Sequence, residues 1–230
     1  MTTHMSSSGR FAIAMTALAI AVLAGSRAEA GYSYSTGITF GTPVGASGTV
    51  VNIPGDRATF TTTDNTQVIM YDIANPGNFI IPSTSTYNFA NLIVTTSSAT
   101  PETFTVPYID VVTVVNPSPG GATDTFTIKG TLSLTNITYQ GGASGGTVTN
   151  QYDAPLSQTI PNLGGALFVL NLGTGAVNDY FGPPTINSSQ GGSVGGQIST
   201  SAVPEPTSVA LVGIGVALLT GIGFRRRLSR

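Results

Sequence analysis

The chain has no cysteine and no tryptophan, and its one histidine, His4, stands at the very start. Without cysteine there are no disulfides, so an extracellular fold must be held by packing, which about 170 residues can supply in one domain. Between Gly31 and Val203 there is no histidine at all. That absence excludes zinc sites of the usual His and Cys ligands, cysteine nucleophiles and Ser-His-Asp triads. Charge is scarce too. The 230 residues hold 10 acids and 8 bases. The stretch from Gly31 to Val203 keeps eight acids, Asp56, Asp64, Asp72, Glu102, Asp110, Asp124, Asp153 and Asp179, against Arg57 and Lys129, a net charge of −6. Nucleic acid is therefore not an expected partner, because no basic patch exists to displace phosphate counterions.

What is present first is a pair of oily termini. Arg10 precedes the apolar run Phe11 to Ala24, and Ala28-Glu29-Ala30 follows it. These are the three regions of a secretory signal peptide over residues 1–30, with Ala28 and Ala30 at the cleavage site. At the other end, Val203-Pro204-Glu205-Pro206 leads into the uncharged run Thr207 to Phe224 and then Arg225, Arg226 and Arg227. As a helix that run spans about 27 Å at roughly 1.5 Å per residue, close to the ~30 Å hydrocarbon thickness of a bilayer. Pro204 and Pro206 keep the preceding backbone extended, and Thr207 or Ser208 offers a hydroxyl cap. The arginines do not enter hydrocarbon cheaply and mark the cytoplasmic side, which places the body of the protein outside the cytoplasm.

Pro-Glu-Pro, a short apolar helix and an arginine cluster, in that order at the extreme C-terminus, resemble the PEP-CTERM sorting domain, a kind of tail also labelled ice-binding protein C-terminal domain. The resemblance is confined to Val203–Arg230. It implies an exosortase as partner, an integral-membrane transpeptidase-like enzyme that often accompanies exopolysaccharide production. It also implies passage through the inner membrane, at least transient anchoring there, and delivery to the cell surface or beyond.

The body alternates rather than showing a helical period. In Asp124 to Asn136, Phe126, Ile128, Leu132 and Leu134 fall on one face while threonines, Ser133 and Lys129 fall on the other, the signature of a half-buried antiparallel strand. Gly130 on the apolar face marks a bend or a close approach of a facing strand, and the phase change at Ile137 predicts a bulge near Asn136. Further strands are expected at Thr49 to Ile53, Ala58 to Thr63, Gln67 to Asp72, Tyr87 to Thr95, Thr103 to Val115, Thr147 to Tyr152 and Ala166 to Leu172, the last of them central. Pro107 suggests an edge or a bulge in its strand. Gly141 to Gly146 reads as a flexible surface loop, and 187–202, rich in Gly and Ser, as a linker, with Val194 and Ile198 leaving a last strand as the alternative. The expected fold is all-β, an antiparallel β-sandwich of jelly-roll or Ig-like type over 31–186, flanked by a signal helix and by a transmembrane helix over 207–224.

Chemistry is thin in this composition. A glycosidase needs two carboxyls flanking one sugar ring, and most of the eight acids stand beside Gly, Pro or Asn in turns. Asp110 differs, since it shares a strand face with Phe104, Val106, Val112 and Val114, and so either interrupts a core or marks an edge. Calcium through Asp64-Asn65 or Asn178-Asp179 lacks the Asp-x-Asp-x-Asp spacing, so turn chemistry is the simpler reading. Thr-x-Thr stands at 59–61, 103–105, 125–127 and 147–149, where solvated β-branched residues are the simpler reading than a flat, regular Thr array. No cofactor and no catalytic or metal-binding residue is expected. The function expected is that of a non-enzymatic, exosortase-sorted surface or extracellular-matrix protein with a structural or adhesive role. The alternative is a carbohydrate-binding module acting on exopolysaccharide, with a carboxylate-dependent glycosidase below it.

Overall fold

In the computed structural model, residues 31–73, 78–79, 83–116 and 121–203 are described. The expected signal helix and the expected transmembrane helix 207–224 lie outside them. The described residues contain strands and no helix: β1 Tyr32–Phe40, β2 Gly48–Ile53, β3 Arg57–Thr62, β4 Thr66–Asp72, β5 Asn78–Phe79, β6 Ser83–Thr96, β7 Glu102–Val115, β8 Thr123–Gln140, β9 Ala143–Tyr152, β10 Ser157–Leu163, β11 Ala166–Asn171, β12 Phe181–Gly182 and β13 Gly192–Ala202. One sheet runs β5-β1-β7-β8-β9 and the other β10-β11-β13-β6-β4-β3-β2, with β12 beside β13. Every pairing is antiparallel.

The two sheets share one hydrophobic core, as in a β-sandwich. Period-two alternation builds it. Strand β7 buries Phe104, Val106, Tyr108, Val112 and Val114, and β8 buries Phe126, Ile128, Leu132 and Leu134. Rings meet edge to face across the sheets, Tyr32 on Phe168 at 5.0 Å between centroids and Phe60 on Phe104 at 5.5 Å. Each fully buried large apolar side chain contributes roughly 1.5–3 kcal/mol over leaving it in water.

The predicted bulge is present. The register of β8 against both neighbours shifts around Asn136, which takes a φ of 54°, and Ile137 is thereby returned to the core. Gly130 is a point of close approach, though what fills its space is the Tyr108 ring of the adjoining strand in the same sheet and not a facing strand. Strand β11, expected to be central, is interior, one place in from the edge strand β10.

Other expectations need correction. Residues 187–202 are not a linker. From Gly192 onward they form β13, paired to β11 on one side and β6 on the other, so the sandwich extends past 186 through Ala202. Its glycines serve close approach, since a Cβ on Gly195 would stand 2.4 Å from the Tyr87 carbonyl oxygen. The six-residue loop at Gly141 to Gly146 is a two-residue hairpin turn, Gly141-Gly142, both at positive φ, after which β9 begins at once. Pro107 is on neither an outer strand nor a bulge; β7 is interior. Its missing N–H faces the β1 side just where β1 ends, and its carbonyl accepts from Gly41 N at 2.8 Å. Strands β1 and β10 fall in segments for which the sequence reading had no strand.

Side chains stitch the sheets where strands run past their partners. Beyond the end of β9, Thr127 of β8 donates its N–H to Gln158 Oε1 at 2.9 Å, and Gln158 Nε2 donates back to the Thr127 carbonyl at 2.5 Å. Asn187 treats Thr96 the same way, accepting from its N–H at 2.6 Å and donating to its carbonyl at 2.8 Å. A carboxamide has the donor and acceptor geometry of a peptide group, so each pair replaces one residue of a missing strand.

Candidate functional site

The eight acids separate into two populations. Asp56, Asp64, Asp124 and Asp153 are exposed, and Asp179 is half-buried, in turns and at strand ends. Asp56 pairs with Arg57 at 3.4 Å. Asp124 accepts from the Thr125 N–H at 2.8 Å. Asp179 Oδ2 accepts from Thr174 N at 2.7 Å, Thr174 Oγ1 at 3.0 Å and Ala176 N at 3.1 Å. Those donors, the Thr174 backbone first, hold the Asp179 carboxyl below the ordinary Asp range. The Asn178-Asp179 pair therefore closes its own loop, and Asn178 Oδ1 accepts from Asn150 N. Among the described residues there is no group of three or more His, Cys, Asp or Glu placed to hold a metal ion.

Glu102, Asp72 and Asp110 are inside or at the rim of the core. Glu102 is buried at the start of β7, where Thr66 Oγ1 donates to its Oε2 and also meets Thr96 Oγ1 at 2.7 Å. Asp110 interrupts the core: it is 0 % exposed, and neither carboxyl oxygen has a hydrogen-bond partner. Asp72 ends β4 in the opposite sheet. Its Oδ1 accepts from the Ile38 N–H at 2.8 Å, while its Oδ2 is buried without a partner.

Register explains how Asp72 comes to bind the cross-strand neighbour of Asp110. Ile38 of β1 stands opposite Asp110 of β7, and the Gly41 to Pro107 bond identifies the odd residues of β1 as those bonded to β7. Ile38 is even, so its N–H turns away from β7 and is free to reach Asp72. Burial pushes the Asp110 acid well above the usual Asp range; the Asp72 charge adds to this, and the Gly37 backbone opposes it. Burial also raises Asp72, against the backbone donors Ile38 and Gly55 and with help from Asp56. With no exposure, Asp110 is not placed to flank a sugar ring. Sequence reading singled out Asp110 but not Asp72, 38 positions earlier and in the other sheet, whose charge adds to the rise at Asp110.

The tyrosines are mostly structural. Tyr32, Tyr34, Tyr108 and Tyr152 are buried. Their hydroxyls donate to the Leu163 carbonyl at 2.7 Å, the Asn88 carbonyl at 3.0 Å, Asn150 Oδ1 at 2.9 Å and the Gly195 carbonyl at 2.5 Å. Desolvation raises the Tyr34 hydroxyl to about 12, with Tyr87 and Asp110 adding to it. These are packing residues with satisfied hydroxyls. Tyr139 is exposed, and Tyr71 lies under the Arg57 guanidinium at 6.0 Å.

Of the terminal residues, Val203 follows β13 directly, while Ala28, Ala30, Pro204, Glu205, Pro206 and Arg225 to Arg227 lie outside the described residues. No curated protein and no solved structure gives a match to this chain. A family model does match a segment of it, and it matches where the tail's three parts stand in order: residues 202–227 are a PEP-CTERM protein-sorting motif.

Proposed function

We propose that this is a non-enzymatic, exosortase-sorted component of the cell surface or extracellular matrix, whose β-sandwich has a structural or adhesive role. The observation that carries the reading is the sorting motif at 202–227, which begins in the chain where β13 ends. Such a motif implies export and handling by an exosortase. In this reading the leader 1–30 is removed after Ala30, and the run 207–224 holds the protein in the inner membrane, with Arg225 to Arg227 on the cytoplasmic side, until it is processed. The acidic, disulfide-free sandwich with stitched edges suits a role outside the cell, because open strand edges invite uncontrolled pairing.

The chain offers a direct test of its location. Lys129 is its single lysine and is exposed on β8. An amine-reactive reagent that does not cross membranes should modify Lys129 in intact cells, as mapped by peptide mass. Modification only after lysis would overturn the reading.

A second reading, binding of neutral polysaccharide, draws support from the outer face of the five-stranded sheet. There the register aligns Ser35 with Thr113 and Thr125, Thr105 with Ser133 and Thr149, and Thr131 with Gln151, and these rows carry no charged residue; Lys129 stands on a separate row, beside Asp153, whose N–H donates to the Lys129 carbonyl at 2.9 Å. Retention on immobilised exopolysaccharide, lost on substituting Thr113, Thr125 and Thr131 by Val, would favour it.

A further inference from the structure

A buried carboxyl with two orphaned oxygens is costly in any protein, and here its cross-strand neighbour Ile38 is bound by a second acid with one orphaned oxygen, Asp72 of the opposite sheet. We propose that the Ile38 N–H to Asp72 bond is a clasp between the two sheets that Asp110 controls, closed while Asp110 is a neutral acid and loosened in alkaline surroundings when that proton leaves to solvent. The clasp is a property of the sandwich and stands apart from the surface role proposed above.

Among the described residues no cation faces Asp110, and the Gly37 backbone is the one group that favours its anion. From β1 come Tyr34, Thr36 and Ile38, from β7 Tyr108, from β9 Tyr152 and from β4 Asp72; the inward neighbours on β8 are Phe126 and Ile128. Tyr34, Tyr108 and Tyr152 give their hydroxyl protons to other acceptors. Thr36 Oγ1 accepts from the Ile73 N–H at 2.7 Å. The two bases of the described residues, Arg57 and Lys129, are at the surface, the former beside Asp56. A charge on Asp110 therefore gains water only if β1 and β7 draw back from β4, which breaks the Ile38 to Asp72 bond.

The sign follows from linkage. The unfolded chain releases the Asp110 proton near the ordinary Asp value, about 4, whereas the folded chain keeps it. Stability is thus fully present below that value and falls as pH rises towards the raised folded value, by about tenfold in the folding equilibrium constant per pH unit for each acid so raised.

The test is urea unfolding of the purified protein from about pH 5 to about pH 9, for wild type, D110N and D72N, each with calcium chloride or with chelator. The clasp predicts a falling wild-type profile, a shallower one for D72N, and the loss of most of the slope in D110N. A D110N slope equal to wild type overturns the proposal. So does a wild-type slope abolished by calcium, which would make the two acids a cation site. Should D110N fail to fold, difference infrared spectroscopy of the wild type decides: a buried carboxylic-acid band at neutral pH, titrating together with faster exchange of the Ile38 amide, supports the clasp, and its absence overturns it.

Discussion

The side chain of Asn52 on β2 meets the backbone of Phe40 on β1 twice: the Phe40 N–H donates to Oδ1 at 2.9 Å, and Nδ2 donates to the Phe40 carbonyl at 3.1 Å. Strand β5 pairs with only the first two residues of β1, so without Asn52 and Asp72 the rest of that edge would be open. Replacing Asn52 by Ala leaves one donor and one acceptor of Phe40 without their partners. We expect a loss of about 1–3 kcal/mol in urea unfolding with little change in the denaturant slope. Asn52→Asp, which keeps the acceptor and loses the donor, should also be destabilised, since it sets a carboxylate against the Phe40 carbonyl.

Gly130 and Gly37 make a controlled comparison. A Cβ on Gly130 would stand 2.6 Å from the Tyr108 hydroxyl oxygen and 2.7 Å from its ring, whereas one on Gly37 meets nothing within 4 Å. Gly130→Ala must displace Tyr108 and break its bond to Asn150, for an expected cost of about 2–4 kcal/mol. Gly37→Ala should lie within about 0.5 kcal/mol of wild type. Thermal unfolding of the two variants side by side checks both values.

Asp179 titrates in the opposite sense to Asp110. Its folded carboxyl is held below the ordinary Asp range, so its contribution is present above the unfolded value and is lost as pH falls through the folded one. A carboxyl-resonance titration should place its midpoint below that of a model Asp peptide. In D179N the Thr174 and Ala176 amides should exchange faster at neutral pH, and unchanged exchange would show that the loop closes without the carboxylate.

Legibility followed the side chains. The alternation of Phe126, Ile128, Leu132 and Leu134 revealed β8, its bulge at Asn136 and the close approach at Gly130, because a half-buried strand writes its period into the residue types. The same logic was available for Tyr32, Tyr34, Thr36, Ile38 and Phe40 of β1, all inward, but hydroxyls and Gly37 between them diluted the signal. Strand β13 was legible only at Val194 and Ile198, for a different reason. Glycine marks either freedom or contact, and at Gly192, Gly195 and Gly196 it marks contact with neighbouring strands, which composition does not distinguish from a linker. The link from Asp110 to Asp72 runs through the register of β1 on β7, a relation that a single sequence does not carry. Likewise Asn52, inside an expected strand, Asn187, inside an expected linker, and Gln158 carry no mark in the sequence of their role as strand surrogates, which comes from the tertiary fold.

The central claim is that this chain is exported and that its C-terminal motif decides its fate. The measurement closest to it is the mass and fractionation of the protein recovered from its own cell, for wild type and for a variant with Pro204, Glu205 and Pro206 all replaced by Ala. The account predicts a wild-type product at the surface or outside the cell, lacking Met1 to Ala30 and altered in its tail, and a variant retained in the inner membrane with the tail intact. Recovery of the complete 230-residue polypeptide from the cytosol, alike for both, would contradict it.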